Sequence, residues 1–216
     1  MDRRAGRLTA QPDHPAIPGL TDPPDARSSV DVAAAERLIP GFEAQSALEQ
    51  LLAGDPVMLK GLAWGKPREG HPEGSVGAHV ADLLDTVDAW GEEGLRRAEL
   101  RLVVLVHDTL KGEVKERRPR TGENHHAMRA RRFTEQFTSD ERLLATIELH
   151  DGPYSLWKRM RKTGDPQREA MDAVIERLPD AAFFLRFVEL DGSSAGKNPA
   201  PVEWFRDELA ARNSAD

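Results

Sequence analysis

The sequence predicts an all-α chain that folds as a single helical bundle domain, and three observations carry that prediction. Apolar residues return at three- and four-residue intervals in one segment after another, the spacing that puts them on one face of a helix. Residues that favour helix amino ends, such as Ser75 and Asn124, stand just ahead of those segments. The length of 216 residues fits one domain, with room for a second only if the first is small.

Residues 1–29 read as a flexible Pro-rich arm. The first forty residues hold six of the fifteen prolines (Pro12, Pro15, Pro18, Pro23, Pro24 and Pro40), with no apolar periodicity before Val30. An extension without a role fits this arm as well as a functional one. The folded domain is expected over 30–216. A first amphipathic helix spans 42–52, with Gly54 ending it, and 61–74 reads as a loop carrying Trp64 and Gly70-His71-Pro72-Glu73-Gly74.

Ser75 then caps a helix in which Val76, Val80, Leu83, Leu84, Val87 and Trp90 share a face, with His79 at the inward edge of the stripe. The valines of 95–108 alone would allow a strand, but the length and the lead-in Arg96-Arg97-Ala98-Glu99-Leu100-Arg101 favour a buried helix. A polar loop follows Lys111. Asn124 caps a helix whose core stripe is His126, Ala130, Phe133 and Phe137, leaving His125 about 100° off it.

Thr138-Ser139-Asp140-Glu141 reads as a capping box opening a helix with Leu143, Leu144, Ile147 and His150 on one face. Pro153 is expected to end that helix, and a short segment with Tyr154, Trp157, Lys158 and Arg159 follows. A helix over 167–178 buries Ala170, Met171, Val174 and Ile175. The next, from Asp180, aligns Phe184, Phe187, Val188 and Asp191 and stops at Gly192. A last helix over 202–212 packs Val202, Phe205 and Leu209. Internal repeats, heptads and a glycine-rich phosphate loop are all missing from the sequence.

Composition narrows the chemistry. With 39% hydrophobic and 31% charged residues and a net charge of -7, the chain reads as a soluble globular protein, and its acidic balance argues against a long nucleic acid track. Its longest wholly apolar run, Leu102 to Val106, is far too short to span a bilayer, and no secretion-signal core is evident near Met1; a cytoplasmic protein is expected. The absence of cysteine excludes disulfides, thiolate metal sites and cysteine nucleophiles. Any metal must then sit among His, Asp and Glu.

Five apolar residues, Leu102 to Val106, lead straight into His107 and Asp108, so a buried element delivers an imidazole and a carboxylate side by side to its own end. Leaving two such groups without partners is costly. A cation that accepts both nitrogen and oxygen donors answers that need, whereas an isolated His-Asp pair is more often a cap bonded to backbone. Five polar positions fall where a helix face turns inward: His79, His107 with Asp108, His126, His150 and Asp191. Each alone is ordinarily a satisfied core residue. An apolar core accepts few unpaired polar groups, and one shared metal site would satisfy them all.

The order His, His-Asp, His, His, Asp resembles the HD-domain superfamily of metal-dependent phosphohydrolases, in the version that binds two ions. Leu105-Val106-His107-Asp108-Thr109-Leu110-Lys111 is similar to that family's Leu-Leu-His-Asp-Ile-Gly-Lys hallmark. His71-Pro-Glu-Gly-Ser-Val-Gly-Ala-His79 resembles the entry to the HD domain of some tRNA nucleotidyltransferases. The resemblance covers about residues 70–192. Thr109-Leu110 departs from the hallmark without touching a ligand, and the doublet His125-His126 makes the third histidine a choice, settled for His126 by helical phase. With His126 and His150 turned away, the one-metal version would remain.

The resemblance implies a site in which His79, His107 and Asp191 hold one divalent ion, His126 and His150 a second, and Asp108 bridges them, the ions being Fe, Mn, Ni, Co or Mg. It makes Asp108 central to catalysis and gives Lys111 a contact with substrate phosphate. It implies hydrolysis of a phosphoester or phosphoanhydride bond in a nucleotide or other small phosphorylated metabolite. Twelve of the thirty Lys and Arg residues lie in three runs beside candidate ligands, Lys111–Arg120, Arg129–Arg132 and Lys158–Lys162, where they can steer a phosphate or form a solvated face. Tyr154 could stack on a base or sugar with Lys158 and Arg159 nearby, or belong to the core. Glu73 and Glu113 are candidate proton carriers or plain surface carboxylates. A di-iron oxygenase of the same superfamily and a non-catalytic nucleotide-binding signalling module are the competing readings. The oligomeric state is open, a homo-oligomer included.

Overall fold

The computed structural model of the chain describes residues 32–69 and 72–213, and the expected arm over 1–29 lies outside them. The described residues form an all-α domain of helices α1 (Val32–Leu38), α2 (Ala47–Gly54), α3 (Pro56–Leu62), α4 (Val76–Ala89), α5 (Gly94–Val106), α6 (His126–Thr134), α7 (Glu141–Leu149), α8 (Gly152–Thr163), α9 (Arg168–Ile175), α10 (Ala181–Gly192) and α11 (Ala200–Asn213). Two 3-10 turns, Lys111–Glu113 and Gly122–Asn124, punctuate the polar loop between α5 and α6. No strand occurs among the described residues, only an isolated bridge between Gly65 and Ser75. None of their helices is long and apolar enough to cross a membrane.

Local chemistry accounts for the helix starts, and several differ from expectation. Helix α2 begins at Ala47 rather than near Phe42, because the Ser46 hydroxyl accepts from the Glu49 amide and sets the boundary. Helix α3 replaces the start of the expected loop: Asp55 accepts from the amides of Val57 and Met58, and Pro56 supplies the first helical φ. Pro153 opens α8 rather than merely ending α7, the same use of proline at a first turn. Asp140, not Thr138, caps α7, while Thr138 accepts from the Asp140 amide one step earlier. Asn124 does not cap α6. Its side chain gathers the polar loop instead, bonding the backbone of Lys115, Arg118 and Pro119.

Two apolar clusters result. The larger draws on α1 to α7 and on Phe183, Phe187 and Leu190 of α10; the smaller joins Leu156, Met171, Phe205 and Leu209 to Phe184 and Val188 of α10. Helices α7 and α10 serve both, α7 turning Leu143 and Ile147 to the large cluster and Ala145 and Leu149 to the small one. The carboxyl ends of these two helices therefore lie at the seam. Helix α3 is pressed onto the turn after α5 so closely that a Cβ at Gly61 would stand 1.9 Å from the Thr109 carbonyl oxygen. That contact holds the segment carrying Asp108. Thr109 itself is buried and donates to the Val106 carbonyl at 2.9 Å, so the Thr-Leu departure from the hallmark is absorbed inside the fold.

Candidate metal centre

All six expected ligand residues come together. His79 lies on α4, Asp191 in the last turn of α10, and His126 at the first residue of α6, while His107 and His150 are the C-cap residues of α5 and α7. Three helix carboxyl ends thus point at one place. The partial negative charge of each favours a cation there.

His107 and His150 are held by the same device. Each Nδ1 donates to the carbonyl three residues back, His107 to Val104 at 3.0 Å and His150 to Ile147 at 2.8 Å. A carbonyl only accepts, so Nδ1 carries the hydrogen and Nε2 faces inward as the donor atom, as second-shell bonds do for metal-ligating histidines. The Phe187 ring braces both imidazoles edge to face, with centroids 5.2 Å from His107 and 6.3 Å from His150. His79 Nδ1 lies 3.3 Å from Ser194 Oγ, whose own hydrogen goes to the Asp191 carbonyl, and 3.7 Å from Glu73.

The six expected ligands fall into two groups, both faced by Asp108, and a third candidate group joins Asp151 to His125 and His126. His79, His107 and Asp191 form one, with Asp191 Oδ1 3.0 Å from His79 Nε2 and 3.7 Å from His107 Nε2. Asp108, His126 and His150 form the other, with Asp108 Oδ1 3.3 and 3.5 Å from the two Nε2 atoms, themselves 3.4 Å apart. The second Asp108 oxygen, Oδ2, faces the first group, 3.5 Å from His107 and 4.0 Å from His79. Donors about 2.1 Å from one ion stand about 3.0 Å apart at right angles and about 3.4 Å apart at tetrahedral angles, so these spacings suit a common cation. His107 Nε2 and Asp108 Oδ1, both buried, make no hydrogen bond, and a cation would satisfy each. These buried groups are able to hold a metal ion.

The charges agree. Burial lowers the His107 pKa against the pull of Asp108 and Asp191, leaving a neutral imidazole ready to ligate. Burial would raise Asp108, but the Lys111 charge holds it well below the usual carboxylate range, and Lys197 does the same for Asp191. His150 goes the other way: burial opposes the charge, yet Asp151 and Asp108 push it up to about 9. The field at that point calls for a positive charge.

A cavity of about 510 Å³ opens beside the cluster, lined by Asp108, Lys111, Asp151, Tyr154, Asp191 and Lys197 among others. That lies within the range of about 300–1,000 Å³ of small-molecule sites. Lys111 donates to Asp108 Oδ2, and Lys197 to Asp191 Oδ1 at 2.5 Å. Tyr154 is on the wall, half exposed, with Lys158 over its ring at 5.8 Å. Arg159 is engaged elsewhere, bonding Gln167 at 3.3 Å, and Glu113 pairs with Lys60 at the surface.

Two residues of the site escape sequence reasoning. Asp151 places Oδ2 3.3 Å from His126 Nε2 and Oδ1 3.6 Å from His150 Nε2, and Lys197 stands six residues beyond Asp191 in a Gly- and Ser-rich turn. Adjacency to His150 was the available signal for Asp151; Lys197 offered none.

No family model, curated protein or solved structure matches the chain. The helical architecture and its His and Asp groups are compatible with an HD-type motif.

Proposed function

We propose that the chain is an HD-type metal-dependent phosphohydrolase, cleaving a phosphoester or phosphoanhydride bond of a nucleotide or other small phosphorylated metabolite. The observation that carries this reading is the divided Asp108 carboxylate, one oxygen toward His79 and His107 and the other toward His126 and His150. In this reading His79, His107 and Asp191 would hold one divalent ion and His126 and His150 a second, with Asp108 available to both. Such ions acidify bound water to near-neutral pKa and neutralise phosphoryl charge.

The chain's own residues shape the rest. Lys111 and Lys197 carry positive charge to the cavity wall, where they orient an entering phosphate by charge-assisted hydrogen bonds. The Tyr154 ring offers a face to a base or sugar. Hydrolysis adds one water across the P–O bond, its oxygen going to phosphorus and a proton to the leaving oxygen.

The test is phosphate release from a nucleotide panel with Mn, Fe, Ni, Co or Mg, repeated with Asp108→Ala. Release by the wild type should fall more than about a hundredfold in the variant, beyond what loss of a second-shell partner causes. Release that survives the substitution rejects the reading. Imidazole and carboxylate donors also suit iron, which favours a di-iron oxygenase as the second reading. An oxygen requirement with bound iron would select it, and nucleotide binding without turnover under every metal would select a signalling module.

A further inference from the structure

The first residue after His150 does something unusual for its position. Asp151 is the N-cap of α8, yet it makes no side-chain cap bond, whereas Ser46, Asp55, Ser75, Asp140 and Asp180 each cap their helices in the ordinary way. An aspartate is among the best N-cap residues, and here that stabilising bond is left unmade. Its carboxylate turns instead toward the imidazoles, with Oδ2 3.3 Å from His126 Nε2 and 3.7 Å from His125 Nε2, and Oδ1 3.6 Å from His150 Nε2. His126 and His150 are the two nitrogen donors of the second group. The spacings match the edge between two donors on one ion, about 3.0–3.4 Å, nearly as well as those of Asp108 do.

We infer that Asp151 is a further metal ligand, completing a set of two imidazoles and two carboxylates around the second ion. The inference rests on the two-ion reading above. Two carboxylates balance a divalent charge that Asp108, shared with the first ion, offsets only in part. Asp151 thereby lets the second position hold its ion more tightly than His126, His150 and the shared Asp108 alone would allow, and it favours ions that accept oxygen donors, such as Mn and Fe, over those that prefer an all-nitrogen set.

The experiment is Mn(II) titration of the metal-stripped full chain, counting free ion by its paramagnetic resonance signal, for wild type and Asp151→Asn. Because the carboxylate caps nothing, the variant should show the wild-type helix content by circular dichroism in chelator, which verifies its fold. Two equivalents are expected in the wild type. In Asp151→Asn one equivalent should keep its affinity and the other should weaken by at least about tenfold, the lower end of what loss of a metal-site partner produces. Equal uptake by both proteins, or equal weakening of both equivalents, overturns the inference and leaves the two-ion reading standing. Uptake of fewer than two ions by the wild type removes both.

Discussion

His79, His107 and Asp191 stand on α4, at the end of α5 and in the last turn of α10, whereas His126, His150 and Asp151 stand at the start of α6, at the end of α7 and just ahead of α8. Each group pairs a sealed imidazole with a more open carboxylate: His107 is 0% exposed beside an Asp191 side chain at 20%, and the His150 side chain is 2% exposed beside Asp151 at 36%. His107 and His150 are fixed alike, each by a backbone bond and the Phe187 ring, and the groups differ in the carboxylate at their edge, Asp191 inside the last turn of α10 and Asp151 outside α8.

The largest effect should come from removing one histidine from each group. His79→Ala and His126→Ala should each cost one bound ion per chain and lower turnover by more than about a hundredfold, because hydrolysis in the two-ion reading needs both. Metal content measured after gel filtration checks this. Loss of both ions from either variant would mean that the groups are not separable.

A smaller effect distinguishes the packing around them. Gly61→Ala drives a Cβ to 1.9 Å from the Thr109 carbonyl oxygen, on the turn that carries Asp108. Overpacking of this kind costs about 1–3 kcal/mol, and a melting point lower by about 2–4 °C per kcal/mol is expected for a chain of this size. Gly152→Ala, at the start of α8 beside the second group, brings its Cβ no nearer than 3.7 Å to Val174. That substitution should stabilise by about 0.4–1 kcal/mol through the unfolded chain. Equal melting points for the two variants would erase the contrast between a tight first side and a looser second one.

The smallest effect is on pH. In metal-free protein Asp151 and Asp108 overcome burial and raise His150 from 6.5 to about 9. A group whose pKa is raised by folding stabilises the fold fully below its unfolded value and loses that contribution as pH climbs through its folded one. The melting point in chelator should therefore fall between about pH 6 and about pH 10, and His150→Gln should flatten that fall. Bound metal should flatten it too, since the ion replaces the proton.

Much of the centre was legible because helical phase is a strong signal. Counting residues places His79, His126, His150 and Asp191 each on an inward face, and the structure brings them into two adjoining groups, His79 with Asp191 and His126 with His150. Counting does not place Asp151, because an N-cap lies outside the helix and phase says nothing about where its side chain turns. Helix α3 was hidden by its brevity, seven residues with a glycine, although Asp55-Pro56 carried a start signal. Pro153 misled in a related way: proline ends one helix and begins another with equal ease, and only the spatial neighbours decide. Arg159 illustrates the opposite limit, since a cationic run gives charge but not direction, and this guanidinium turns to Gln167.

Helices α7 and α10 each present one face to either apolar cluster, and most of the cavity wall, from Pro153 through Tyr154 to Lys197 and Val202, belongs to the carboxyl-terminal side of that seam. Substitutions at Tyr154, Pro201 or Val202 can thus reshape what enters without touching Phe187, Asp191 and Ser194, which seat His79 and His107. In the two-ion reading, selectivity would then vary at a few wall positions, while Asp191 in the same stretch ties ion retention to both sides of the chain.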